Sequence, residues 1–175
     1  MEIKKDWTWC NNYPQIEYSI LKPMEEVELV KVKNEYKRYD WEDDFITKIK
    51  QEEKDKYINE ILKQIPNDEK ILDKSSYIIK GIRSVAFHVY TKPIALIKKE
   101  KEIEKILTDA GFELWEHNPV CLDEGNWVKL DGIYRINYDK ETINKIAKLL
   151  NASDWKVVFD SHMEDVYLVF KLQDE

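Results

Sequence analysis

The order of strand-like and helix-like segments predicts an α+β protein. It predicts an antiparallel sheet with helices on one face, its second part ferredoxin-like (β-α-β-β-α-β), preceded by a β-hairpin and a long helix. Three observations carry this. Residues 15–20 and 82–90 alternate polar and apolar side chains, the period of a half-buried strand. The runs after Thr91 and Asp139 place apolar residues at helical spacing between a start and a stop signal. With 43% hydrophobic and 12% aromatic residues, but only four Gly and five Pro, the 175 residues can fill a core as a single domain, 1–175.

The elements follow in order. Gln15–Ile20 reads as a strand, Lys22-Pro23-Met24 as a turn and Val27–Lys33 as a second strand, so 15–33 forms the expected hairpin. Asp43 or Asp44 can cap a helix to about Ile65, with Phe45, Ile49, Ile58, Ile61, Leu62 and Ile65 at helical spacing and Pro66 ending it. Residues 66–76 read as a polar connection, which closes the first part, 1–76. In the second part, 77–175, Val85, Phe87 and Val89 share one strand face, with a kink or bulge at Gly81. Thr91 caps the next helix, with Pro93 in its first turn and Gly111 as its stop. Phe112–His117 is a short strand, 118–126 a loop and 127–138 one strand or two. Asp139 caps a helix with Ile143, Ile146, Ala147 and Leu150 inward, ended by Asn151. Trp155–Phe159 and Val166–Leu172 close the sheet.

The net charge is −7, and residues 112–175 carry −6 of it. A chain so biased suits a basic protein surface better than nucleic acid, whose binding relies on Lys and Arg displacing counterions. No stretch approaches a membrane span. The segment Met1-Glu-Ile-Lys-Lys-Asp has no apolar run after it and does not read as a signal peptide. Cys10 and Cys121 read as reduced thiols in the cytoplasm of a bacterial or phage-infected cell.

Four constellations bear on function. Asp40, Trp41, Glu42, Asp43 and Asp44 surround an aromatic anchor with carboxylates, the composition of an epitope for a Lys/Arg surface; acids at a helix N-terminus with Trp41 as a hydrophobic staple explain them equally. Asp160, Glu164 and Asp165 form a second acidic patch. Asp160, His162 and Glu164 could reach one ion if extended, but a polar hairpin loop is expected there anyway, so no metal site is assigned. His117 and Cys121 could pair a base with a nucleophile, though Cys121 between Val120 and Leu122 suits a small buried hydrophobe better. Tyr134, Tyr138, Trp115 and Trp127 could stack bases on an open sheet face, but sheet packing is the simpler reading, as it is for His88.

Phosphate-binding Gly-rich loops, Gly-x-Ser-x-Gly, His-Glu-x-x-His and Cys-x-x-Cys are absent from the sequence. What remains is an acidic protein-binding inhibitor that neutralises a toxin, nuclease or defence enzyme, of toxin-immunity or phage anti-defence type. It needs no cofactor or direct contact with nucleic acid or membrane, and self-association is open. The alternatives are a structural or assembly subunit of a phage tail-like particle, with the long helix as an arm, and an enzyme with an unmarked site.

Overall fold

A computed structural model describes residues 2–131, 133, 138–160 and 165–173, with Asp160 and Asp165 described by backbone alone. It is α+β, with antiparallel strand pairing and three helices. The chain divides into two compact units, residues 1–6 with 16–91 and residues 7–15 with 92–175.

Strands β1 (Lys4–Cys10), β2 (Tyr13–Pro23), β5 (Glu69–Ile79) and β6 (Ser84–Pro93) form a sheet in the order β1-β2-β6-β5; their residues 4–6, 16–23, 69–79 and 84–91 belong to the first unit and the rest to the second. Strand β2 runs antiparallel to β6 from Ile16 opposite Thr91 to Pro23 opposite Ser84. That register puts Ile16, Tyr18 and Ile20 on the same face as Val85, Phe87 and Val89, all buried. The helix α1 (Gln51–Leu62) buries Tyr57 and Ile61, and the Tyr57 ring meets Phe87 with centroids 4.7 Å apart. A separate two-stranded ribbon pairs β3 (Leu29–Lys33) with β4 (Phe45–Ile49).

The expected hairpin over 15–33 and the helix from 43 are thereby corrected. The strand partner of 16–23 lies some seventy residues on, at 84–91, and 29–33 turns back on 45–49. Phe45 and Ile49 are four apart, which fits a helix, but Ile46, Thr47 and Ile49 are β-branched and favour the extended chain. The polar segment from 66 is mostly the outer strand β5, whose exposure removed the alternation that marks a strand.

In the second unit, β7 (Val120–Leu122), β8 (Trp127–Leu130), β9 (Ala152–Asp160) and β10 (Asp165–Leu172) form an antiparallel sheet in the order β7-β8-β10-β9. Helices α2 (Ile94–Asp109) and α3 (Lys140–Leu149) pack on one face. Ile103, Leu107, Ile143 and Ile146 meet Leu122, Val128, Leu130, Leu168 and Phe170 there. Two of the helix ends are as the sequence implies: Asp139 accepts the Thr142 backbone N–H at 2.7 Å, and Gly111 follows α2 at φ +98°, where a Cβ would be strained.

The sheet order differs from the ferredoxin-like expectation. Strand β6 pairs with β2 and β5 in the other sheet, so this unit reads α-β-β-α-β-β. Thr91 lies within β6 and donates to Glu69 at 2.7 Å, leaving Pro93 at the N-cap of α2. Among the described residues, Phe112–His117 contributes only the isolated bridge Leu114–Ile133.

Candidate functional site

The first acidic patch occupies the loop between β3 and β4, not a helix start. Asn34 closes its base: its backbone N–H donates to the Asp44 carbonyl at 2.7 Å and its side-chain amide to the Asp43 carbonyl at 2.9 Å. Its own amide oxygen accepts the Tyr36 N–H at 3.2 Å. Lys37 pairs with the Asp44 carboxylate, and the Arg38 N–H reaches a Glu42 carboxylate oxygen at 3.4 Å. On this frame the rings of Tyr39 and Trp41 stack, centroids 5.3 Å apart and planes within 5°. Trp41 is 80% exposed, as is Tyr36, so Trp41 is not a staple and the acids do not cap a helix. The structure thus brings Asp40, Trp41, Glu42, Asp43 and Asp44 together on one ribbon tip.

The other sequence candidates are placed less favourably for chemistry. Asp160 and Asp165 face each other across the last backbone pair of β9 and β10. Glu164 and His162, and with them the proposed three-ligand set, lie outside the described residues, as does Tyr134. Among the described residues, no group of three His, Cys, Asp or Glu could hold a metal ion, and no helix is long and apolar enough to cross a membrane. His117 is exposed, whereas Cys121 is buried, its thiol directed at the Asn118 and Asn12 carbonyls at 3.4 and 3.7 Å. Burial, reinforced by Glu100, pushes the Cys121 thiol up to about 12, the reverse of an activated nucleophile. Trp115 is half exposed, and the Tyr138 hydroxyl donates to the Val166 carbonyl at 2.9 Å. His88 is a sheet histidine, stacked between Tyr77 and Tyr90, with the Tyr77 hydroxyl and a Glu17 oxygen each 3.0 Å from its ring nitrogens.

Two clusters in the second unit have no counterpart among those candidates. The first is a buried charge set. Lys92 and Glu100 are 0% and 4% exposed, and Lys92 Nζ donates to Glu100 Oε2 at 2.9 Å. The same oxygen accepts the Leu122 N–H at 2.9 Å, Glu100 Oε1 accepts the Tyr13 hydroxyl, and the Lys92 ammonium sits 4.0 Å from the centre of the Tyr13 ring. Burial lowers the Lys92 pKa, and the Glu100 carboxylate opposes that fall. With no exposed edge, this pair ties the segment at Lys92 to α2 and β7 within the second unit; it is not a site.

The second is a groove of about 520 Å³ against the sheet face opposite the helices. The strand period places it: Val128 and Leu130 point into the core, so Trp127 and Lys129 point out, and Tyr167 and Val169 alternate likewise with Leu168 and Phe170. Trp9 of β1 completes a wall. Lys129 lies 4.2 Å from the Tyr167 ring centre and 5.5 Å from that of Trp9, while Lys156 and Lys171 lie 4.8 and 5.7 Å from Trp127. Of the aromatic set expected on a sheet face, only Trp127 lines this groove among the described residues. The cations escaped sequence reading because 129, 156 and 171 sit on three strands, in a region whose summed charge is negative. No family model matches the chain, and neither does any curated protein or solved structure.

Proposed function

We propose that this chain is a partner-binding protein, an acidic inhibitor that neutralises a basic or nucleic-acid-handling partner, of toxin-immunity or phage anti-defence type, acting in the cytoplasm. The observation that carries the reading is the stacked Tyr39–Trp41 pair, presented with Trp41 80% exposed among Asp40, Glu42 and Asp43. Stacking and the Asn34 hydrogen bonds restrict the loop before any partner arrives, which lowers the ordering cost of binding. An exposed Trp is a frequent source of binding energy, and surrounding carboxylates select a cationic rim and speed encounter. The assembly alternative drew on a helix from about 44 to 65 as an arm; the helix is Gln51–Leu62 and buries Tyr57 and Ile61. Asp160, Glu164 and Asp165 remain the proposed second contact.

The test is capture of the tagged protein's partner from host lysate at low and high salt, followed by binding of the purified pair. One stoichiometric toxin, nuclease or defence enzyme, lost at high salt, supports the reading. Trp41→Ala should then weaken binding at least tenfold, and Asp40→Lys with Asp43→Lys should slow association, while the thermal midpoint stays within a few degrees. Unchanged affinity in both variants would rule out the ribbon tip as the contact.

A further inference from the structure

The geometry points to a second binding site in the groove on the open face of the β7-β8-β10-β9 sheet, taking a flat heteroaromatic ring that bears phosphate, the chemistry of a nucleotide. It stands independently of the partner-binding reading, since none of its residues lies in the ribbon tip.

Size and lining come first. A volume of about 520 Å³ lies within the range of small-molecule clefts. Trp9 and Trp127 offer flat apolar surfaces, and Asn12 adds a polar group. Trp9 is 53% exposed, which leaves part of its ring surface open to a ligand.

The charges decide the sign of the ligand. Among the residues whose side chains are described, three carboxylates lie on or beside this face, and each is engaged locally. Asp123 accepts the backbone N–H groups of Gly125 and Trp127 at 2.9 and 3.0 Å, Asp154 accepts the Trp155 N–H at 2.8 Å, and Asp131 pairs with Lys129 at 3.5 Å. Among the described residues, neither Lys156 nor Lys171 has a carboxylate within ion-pair distance. Lys171 donates to the Gly125 carbonyl, and both ammonium groups rest over Trp127. A cation over a half-buried ring is held less firmly than one in a charge-assisted bond to phosphate. A nucleotide can therefore draw both lysines off the indole and stack its base on the face they leave. The net charge of −7 does not forbid this, because charges more than ~8 Å away are screened at physiological salt.

The test uses the full chain, reading the six Trp indole N–H signals by NMR during titration with adenosine 5′-monophosphate. Trp9 and Trp127 should shift, while Trp7, Trp41, Trp115 and Trp155 stay. Adenosine should bind at least tenfold more weakly. Lys156→Gln combined with Lys171→Gln should weaken the monophosphate at least tenfold with the rest of the spectrum native, and Trp9→Ala gives a check that leaves the sheet's own cations in place. An oligodeoxyadenosine octamer binding at least tenfold tighter than the monophosphate would identify a single strand as the source of the nucleotide; equal or weaker binding would identify the free molecule. Absence of shifts at Trp9 and Trp127 up to ~1 mM ligand, equal binding of adenosine, or an unaffected lysine variant would each overturn the proposal.

Discussion

Glu100→Gln isolates the buried ion pair with little change of shape. The amide still accepts from Leu122 N–H or the Tyr13 hydroxyl, but it no longer neutralises Lys92, whose side chain has no exposed surface. Removing one partner of such a pair costs about 3–5 kcal/mol, because the other charge stays buried and alone. For a domain of ordinary stability, ~5–15 kcal/mol, that is about a fifth or more of the total. With a urea slope of ~2 kcal/mol/M, the unfolding midpoint should fall by roughly 2 M. The deficit should also depend on pH. Burial already lowers the Lys92 pKa, and loss of Glu100 removes the main influence that opposes it. The native state then binds fewer protons than the unfolded chain up to the ordinary lysine value of 10.5, so stability rises with pH through that window. The gap between variant and wild type should narrow between pH 7 and 10. Lys92→Met with Glu100→Leu should recover part of the loss, leaving ~1–3 kcal/mol for the Leu122 N–H and Tyr13 hydroxyl that lose their acceptor. A midpoint shift worth less than ~1 kcal/mol, or a deficit that does not change with pH, would refute the argument that Glu100 compensates a buried ammonium.

Two further outcomes follow from single positions. The Cys121 thiol is held neutral by burial, so the fold loses stability as pH rises above the ordinary thiol value of 9.0 and continues to lose it towards about 12; Cys121→Ala should flatten that onset in thermal melts recorded from pH 8 to 11. Gly111→Ala places a Cβ at φ +98° and should cost about 1 kcal/mol although nothing crowds it, whereas Gly81→Ala, equally uncrowded and without a positive φ, should be neutral or slightly stabilising in the same melts.

Local chemistry made part of the fold legible. Asp139, Gly111 and the apolar run Val166–Leu172 act within a few residues, and each stands where the sequence places it. The hairpin over 15–33 failed because pairing is not local: Ile16–Pro23 had to find 84–91, and no nearby residue announces that. Strand β5 was hidden by its exposure, since Lys70, Asp73 and Lys74 break the apolar pattern that marks a half-buried strand. The site divides in the same way. Asp40–Asp44 was visible as a run of acids around Trp41, but whether it capped a helix depended on where helix α1 begins. The lysines of the groove share a face only because β8 and β9 both flank β10, a fact of pairing rather than of composition.

Lys156 has another consequence. Among the described strands β9 is the outer one of its sheet, the position at which another chain can add, and around that lysine the sequence runs Trp155-Lys-Val-Val-Phe159. Val157 and Phe159 are 43% and 63% exposed. Such a run is the kind that zips into intermolecular sheets, and one cation within it is the usual guard, since stacking copies in register would stack like charges. The ammonium over Trp127 therefore also works as a gatekeeper of solubility, and any lineage that exchanged it for an apolar residue to alter the groove would expose its carriers to fibril formation.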